Sequence, residues 1–138
     1  MANCYVTALH ILGYRFNSAA ELRRKLRAKR FDDATIAETL ERLRGEKWLD
    51  DDRYAAAYVR TRVQKGIGRL RIRRELAAAG IDDDVAERAV RENAAEGEEE
   101  RLRAAYEKLA RRLSDPEKIA ARLLRQGFER SAILNYLP

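Results

Sequence analysis

The sequence predicts an all-α protein of nine helices arranged as three tandem three-helix repeats. Three observations carry that prediction. The segment "ELRRKLRAKRFDDATIAETL" (21–40) aligns without gaps on "RIRRELAAAGIDDDVAERAV" (71–90) and on "KIAARLLRQGFERSAILNYL" (118–137), at offsets of 50 and then 47 residues. Within each copy the matched apolar residues are spaced by four, as on one stripe of an α-helix: Leu22/Ile72/Ile119 with Leu26/Leu76/Leu123, then Ile36/Ala86/Ile133 with Leu40/Val90/Leu137. No segment alternates apolar and polar residues as a half-buried strand would.

The first helix of each repeat follows from the same offsets, which carry Tyr5 to Ala55 to Leu102 and Leu9 to Val59 to Tyr106. The second helix of repeat one opens at Ser18, with Glu21 at capping-box spacing; Ser114 with Glu117 has that spacing in repeat three, and Pro116 falls in a first turn. Between second and third helices stands an aromatic or aliphatic residue (Phe31, Ile81, Phe128) before an acidic cap (Asp32, Asp82, Glu129), at hydrophobic-staple spacing from Ile36, Ala86 and Ile133. Asp50 caps the first helix of repeat two, with Leu49 and Tyr54 as its staple. Gly45, Gly66, Gly80, Gly97 and Gly127 fall near predicted helix ends. The expected repeats are residues 1–48, 49–95 and 96–138, each burying little alone and depending on stacking against its neighbour.

Composition narrows the function. The chain of 138 residues has 38% charged and 46% apolar residues, a net charge of +6 and a pI near 9.7, the balance of a folded protein that meets a polyanion or an acidic surface. One cysteine, Cys4, and one histidine, His10, separated by six positions, exclude a disulfide framework, a cysteine zinc cluster and an obvious nucleophile–base pair. No catalytic residue, metal or cofactor is expected. The start, "MANCYVTALHILGYRF", has neither the basic n-region of a signal peptide nor the length of a membrane span, so a cytoplasmic protein without membrane attachment is expected, and a monomer.

Gly66-Ile67-Gly68 lacks the preceding strand and third glycine of a dinucleotide loop, Arg71 standing in that glycine's place, and reads as a joint between helices. The basic run is more informative. From Arg53 to Arg74 no Asp or Glu intervenes, and with Ile72 and Leu76 buried the helical wheel turns Arg71 and Arg74 outward and sets Arg69 and Arg73 at the flanks of the apolar stripe. The expected contact surface is Arg60, Arg62, Lys65, Arg69, Arg71, Arg73 and Arg74, with a secondary basic surface at Arg23, Arg24 and Arg27 in repeat one. The acidic triplets Asp50–Asp52 and Asp82–Asp84, and Glu98–Glu100, read as helix starts rather than metal sites, because consecutive carboxylates diverge around a helix. Trp48, Tyr54 and Tyr58 read as packing residues at a junction, a staple and an apolar face.

The middle segment "LDDDRYAAAYVRTRVQKGIGRLRIRRELAAAGID" resembles the signature of the RecX family of bacterial RecA regulators. The resemblance rests on Leu49, Asp51, Arg53-Tyr54-Ala55, Tyr58-Val59, Arg62, Gly66, Gly68, Ile72, Leu76, Gly80 and Ile81. "SAAELRRKL" in repeat one and "LLRQGF", Ile133 and Leu137 in repeat three extend it over nearly the whole chain. It implies an elongated, curved body of three three-helix units and a non-enzymatic regulator. That regulator would bind RecA and its filament on single-stranded DNA and inhibit recombinase, ATPase and coprotease activities. The rival expectation is a helical-repeat module that binds DNA or RNA directly. Two departures stand out. Arg30 replaces the glycine that family members commonly carry before the aromatic of repeat one, so that helix must end without an easy left-handed residue or accept strain. The chain also opens almost at its first helix and stops at its last, so functions of terminal extensions are not expected of it.

Overall fold

The computed structural model describes residues 3–138, and among them the chain forms nine α-helices and no strand. They are α1 (Cys4–Tyr14), α2 (Ala19–Ala28), α3 (Asp33–Gly45), α4 (Asp51–Gln64), α5 (Arg69–Ala78), α6 (Asp83–Asn93), α7 (Glu98–Ala110), α8 (Pro116–Arg125) and α9 (Arg130–Leu134). The body is an elongated all-α array of repeats. Each triplet closes around its own core. Leu22, Leu26, Ile36, Leu40 and Leu43 centre the first, Val59, Ile72, Leu76 and Ala86 the second, and Leu102, Leu123, Phe128 and Ile133 the third. The extensive helix–helix contacts all lie within a triplet. The expectation that the repeats depend on a shared, stacked core is therefore corrected: each unit buries its own stripe, and smaller joints connect the units. Leu49, expected to open the second repeat as a staple partner of Tyr54, packs in the first core, while Tyr54 packs in the second.

Caps define the elements. Ser18 and Glu21 form the reciprocal capping box at α2. Asp32 and Asp50 accept from the backbone N–H groups of Thr35 and Arg53, whereas Asp82 and Glu129 stand at the cap position without a side-chain bond. At α8 the cap is Asp115, which accepts from Glu117 N, and not Ser114. The repeat register explains this, since Ser18, Gly68 and Asp115 are equivalent positions. The turn after each second helix is also repeated: the N–H groups of Phe31, Ile81 and Phe128 reach back to the carbonyls of Leu26, Leu76 and Leu123. The residue before each takes a left-handed conformation, with φ of 70° at Arg30, 80° at Gly80 and 102° at Gly127. A side chain at positive φ carries a steric penalty that glycine avoids, so of the two alternatives posed by the sequence, Arg30 accepts the strain.

The two joints between repeats are built alike. At the first, Ser18 Oγ donates to the carbonyl oxygen of Ala79 at 2.5 Å, and a Cβ on Gly80 would collide with the Cβ of Ala20. At the second, Gly68 N donates to Gln126 O at 2.9 Å and Leu70 N to Gly127 O at 3.1 Å. Each joint thus sets the N-terminus of one second helix against the C-terminal turn of the next repeat's second helix. A carboxylate from the following repeat completes both: Asp51 Oδ1 accepts from Ala19 N at 2.9 Å, and Glu98 Oε1 accepts from Arg69 N at 3.2 Å. Those N–H groups are orphan donors of a helix's first turn, and an anionic acceptor there also opposes the positive end of the helix dipole. Helix α5 is clamped at both ends, whereas the turn at Arg30, at the end of α2, is exposed.

A Cβ placed on Gly68 would lie 2.5 Å from both the carbonyl carbon and oxygen of Gly127. Gly68→Ala is therefore expected to destabilise the protein by about 1–3 kcal/mol and to raise amide exchange across residues 98–134, while Arg30→Gly stabilises it by about 0.5–1 kcal/mol through relief of the left-handed turn. Denaturant unfolding with exchange mass spectrometry checks both signs; a neutral Gly68→Ala would contradict the joint.

Candidate functional site

The joints orient α5, and with it the arginines read from the sequence. That run is not an unmixed cationic surface. Glu75, the residue immediately after it, takes the centre: Arg62 Nε and Nη2 donate to its two carboxylate oxygens at 2.9 and 2.8 Å, Arg71 Nε donates at 3.1 Å, and Tyr58 OH donates at 3.0 Å. The two-pronged Arg62 contact matches the planar fork of a guanidinium to a carboxylate. Only 18% of the Arg62 side chain is exposed, so the pair is a structural brace between α4 and α5. Burial alone would raise the Glu75 carboxyl, but hydrogen bonds from Arg62, Tyr58 and Arg71 outweigh it and hold the group below the usual carboxylate range. Burial, and then the bond to Glu75, raise the Tyr58 phenol, and burial with the nearby Glu21 pushes the Tyr54 phenol up to about 12.

Around this brace the predicted cations divide. Arg71 and Arg74 line a shallow cleft of about 370 Å³ with Glu75, Ala78 and Arg125, so three guanidiniums of the cleft stand around Glu75, which Arg62 binds from α4. Arg69 faces the other way and pairs with Glu129 of the third repeat at 2.8 Å. Arg60 turns toward α6, where it lies 3.5 Å from the Asn93 amide oxygen. Lys65 caps the C-terminus of α4 and is exposed. Arg73 is half-buried and Arg74 exposed; among the described residues Arg60, Lys65, Arg73 and Arg74 make no ion pair, while Arg62, Arg69 and Arg71 do. Of the secondary set, Arg23 and Arg24 are exposed and unpaired among the described residues, and Arg27 pairs with Asp33 at 2.8 Å. The structure therefore gathers Arg62, Arg71 and Arg74 and separates them from Arg60 and Arg69.

Arg125 escaped the sequence reading because it lies in another repeat, 54 positions from Arg71. The repeat register could have found it, since the joint sets the end of α8 beside the start of α5. The acidic triplet 50–52 also resolves: Asp50 caps α4, Asp51 accepts from Ala19 N at the start of α2, and Asp52 pairs with Arg88. The three carboxylates go to three different partners. Trp48, read as a packing residue, is 54% exposed, whereas Tyr54 is buried and stacks on Tyr58 with ring centroids 6.1 Å apart. Cys4 is buried and His10 exposed on α1. Among the described residues no helix is long and apolar enough to cross a membrane.

Comparison with known proteins agrees with this architecture. Residues 4–43 match the family model for RecX, first three-helix domain, and residues 50–90 the model for RecX, second three-helix domain. A Regulatory protein RecX from Prosthecochloris aestuarii is 36% identical over 131 residues, covering 91% of this chain and 85% of that protein. One from Geobacillus kaustophilus is 34% identical over 136 residues, covering 94% of this chain and 51% of that protein. The chain thus spans about half the length of several curated relatives that it matches. The crystal structure of RecX from Lactobacillus salivarius superposes with a TM-score of 0.85 at 31% identity, covering 96% of this chain and 90% of that one. The chain belongs to the RecX family.

Replacing Glu75 by Gln leaves Arg62, Arg71 and Tyr58 facing a neutral amide, and the expected loss is about 1–3 kcal/mol at pH 7, the range for hydrogen bonds to a charged group. The carboxyl of folded Glu75 is depressed, so its contribution is present above the pKa of the unfolded chain, about 4.3, and disappears as pH falls through the lower folded value. Urea unfolding of both proteins between pH 7 and 3 is expected to give curves that converge at the acid end; a constant difference would contradict the assignment.

Proposed function

We propose that this RecX-family chain is a regulator without chemistry of its own that binds the RecA filament on single-stranded DNA and restrains its ATPase, strand-exchange and coprotease activities. The observation that carries the reading is the family match over more than nine-tenths of the chain. The geometry is compatible with it. The cleft between α5 and α8 offers the exposed guanidiniums of Arg74 and Arg125 beside Arg71, which Glu75 holds in place, an arrangement suited to carboxylates or phosphates rather than to a small neutral substrate.

Within that cleft Arg74 and Arg125 act as the free contacts, while Arg62 and Arg71 hold the frame through Glu75. Arg60, Lys65, Arg69 and Arg73 contribute to steering, because a patch of one sign accelerates encounter with an oppositely charged partner even where it makes no fixed contact. The separation of Arg60 and Arg69 from the cleft favours a contact spread over several faces of repeat two. The rival reading, direct binding to DNA or RNA, draws on the same net charge of +6 and differs in its salt response, since affinity built on phosphate contacts falls steeply with salt whether or not RecA is present.

Addition of the chain to RecA on single-stranded DNA is expected to lower the ATPase rate. Arg74→Glu/Arg125→Glu is expected to weaken that inhibition by about tenfold or more, on the scale of losing two charge-assisted contacts. The absence of inhibition and of filament co-sedimentation at low salt would overturn the reading. RecA-independent binding of equal affinity and steep salt dependence would replace it with the nucleic-acid rival.

A further inference from the structure

Three second helices make two joints, which leaves the start of α8 and the turn that ends α2 outside them. Both carry different residues at the positions the joints use. The offsets of 50 and 47 set Arg30 in the place of Gly80 and Gly127. They set Asp115, Pro116 and Glu117 in the place of Ser18, Ala19 and Ala20 and of Gly68, Arg69 and Leu70. Lys29, Arg30 and residues 115–117 are exposed, and among the described residues no hydrogen bond links them to another repeat.

At the α2 turn the difference is steric. A Cβ on Gly80 would lie 2.3 Å from the Cβ of Ala20, and one on Gly127 would lie 2.4 Å from the Cβ of Arg71. Arg30 has that Cβ, so the start of a second helix cannot approach its turn as closely as the joints require. The residue holds φ at 70°, where a side chain strains the backbone and glycine does not. Such an outlier, kept where glycine would relieve it, points to a task for the side chain. At α8 the difference lies in the donors. Ser18 Oγ, Gly68 N and Leu70 N supply the bonds to the facing carbonyls, and the N–H groups of Ala19 and Arg69 take the Asp51 and Glu98 carboxylates. Pro116, in the place of Ala19 and Arg69, has no N–H. The N–H of Glu117, in the place of Leu70, is taken within the chain by Asp115 Oδ1 at 2.9 Å. Asp115 itself stands where Ser18 donates, and an ionised carboxylate only accepts.

Charge alone would bring these two ends together. Lys29 and Arg30 are basic, Asp115 and Glu117 acidic, and opposite charges steer encounter. A joint between the α8 start of one copy and the α2 turn of the next uses a different surface on each. Such a head-to-tail contact builds rings or open chains rather than a closed pair. We infer that Arg30 and the Asp115-Pro116 pair are stops: they deny a second copy of this chain the joint that links its own repeats. Either stop suffices alone, because one removes the room and the other removes the donors.

The test removes one stop from each of two proteins and mixes them. Arg30→Gly opens the α2 turn and leaves the α8 start blocked. Asp115→Ser/Pro116→Ala gives the α8 start the residues of the first joint, Ser18 and Ala19, and leaves the α2 turn blocked. Serine keeps a helix cap and alanine the helix, and circular dichroism checks that both variants fold. A joint that stays closed between linked repeats holds against an effective concentration in the millimolar range. Sedimentation equilibrium of the mixture at about 1 mM of each is therefore expected to show a weight-average mass about a third above that of one chain. Wild type and each variant alone are expected to stay at the mass of one chain, and the triple variant to grow past a pair as concentration rises. Asp115→Gly/Pro116→Arg, with the residues of the second joint, repeats the mixing if the first double variant loses helix. A folded mixture that stays at the mass of one chain overturns the inference. So does association of the wild type, or of either variant alone, as strong as that of the mixture, since the contact would then not be the joint.

Discussion

The structure depends on two places where helix ends meet across repeats at a glycine that has no room for a side chain. At the second, the backbone of Gly68 lies against that of Gly127, close enough for hydrogen bonds from Gly68 and Leu70 to the turn that ends α8. Because the three cores are separate, hydrophobic burial stabilises each triplet but does little to fix one triplet relative to the next. That alignment falls to a small number of directed hydrogen bonds, two of them from backbone N–H groups to the Asp51 and Glu98 carboxylates. Such bonds are modest in net energy but demanding in geometry, so they serve alignment better than cohesion.

The basic cleft follows from that alignment. Helix α5 is held at its start by Gly68, Glu98 and the α8 turn, and at its end by Ser18. Its Arg71 and Arg74 are therefore set beside Arg125, which belongs to a different core. Glu75 then decides which arginines are structural. By drawing Arg62 and Arg71 inward it turns two of the run's guanidiniums into a frame, and the exposed Arg74 and Arg125 stand at the cleft's rim. A carboxylate inside a cationic cluster also limits the self-repulsion that four neighbouring guanidiniums would otherwise produce.

Much of this was legible in the sequence. The offsets of 50 and 47 placed the matched apolar pairs on their helices except Ile133/Leu137, where α9 ends at Leu134 and leaves Leu137 beyond it, and Leu22, Leu26, Ile72, Leu76, Ile119 and Leu123 are all buried. Periodicity succeeds there because a stripe buried against its own triplet depends on local spacing alone. Long-range pairing was less legible. Glu75 was passed over because it stands one residue outside the basic run, and Glu129 was read only as a cap because its pairing with Arg69 crosses a joint that spacing does not reveal. Gly66 and Gly68 read as one elbow, yet they have different tasks: Gly66 takes a left-handed turn with open space around it, while Gly68 is a contact point for another repeat. Arg30 was legible as an anomaly, and the structure shows it as an exposed residue at φ 70°.

The central claim is that a rigidly aligned α5–α8 cleft is the surface with which the chain meets a RecA filament. The most direct measurement is hydrogen exchange of the chain with and without RecA filaments assembled on single-stranded DNA. The account predicts slowed exchange in the two cleft segments, residues 71–78 and 122–126, with the acidic start of α8 unchanged. Protection confined to α7 and α9, or none at saturating filament, would contradict it.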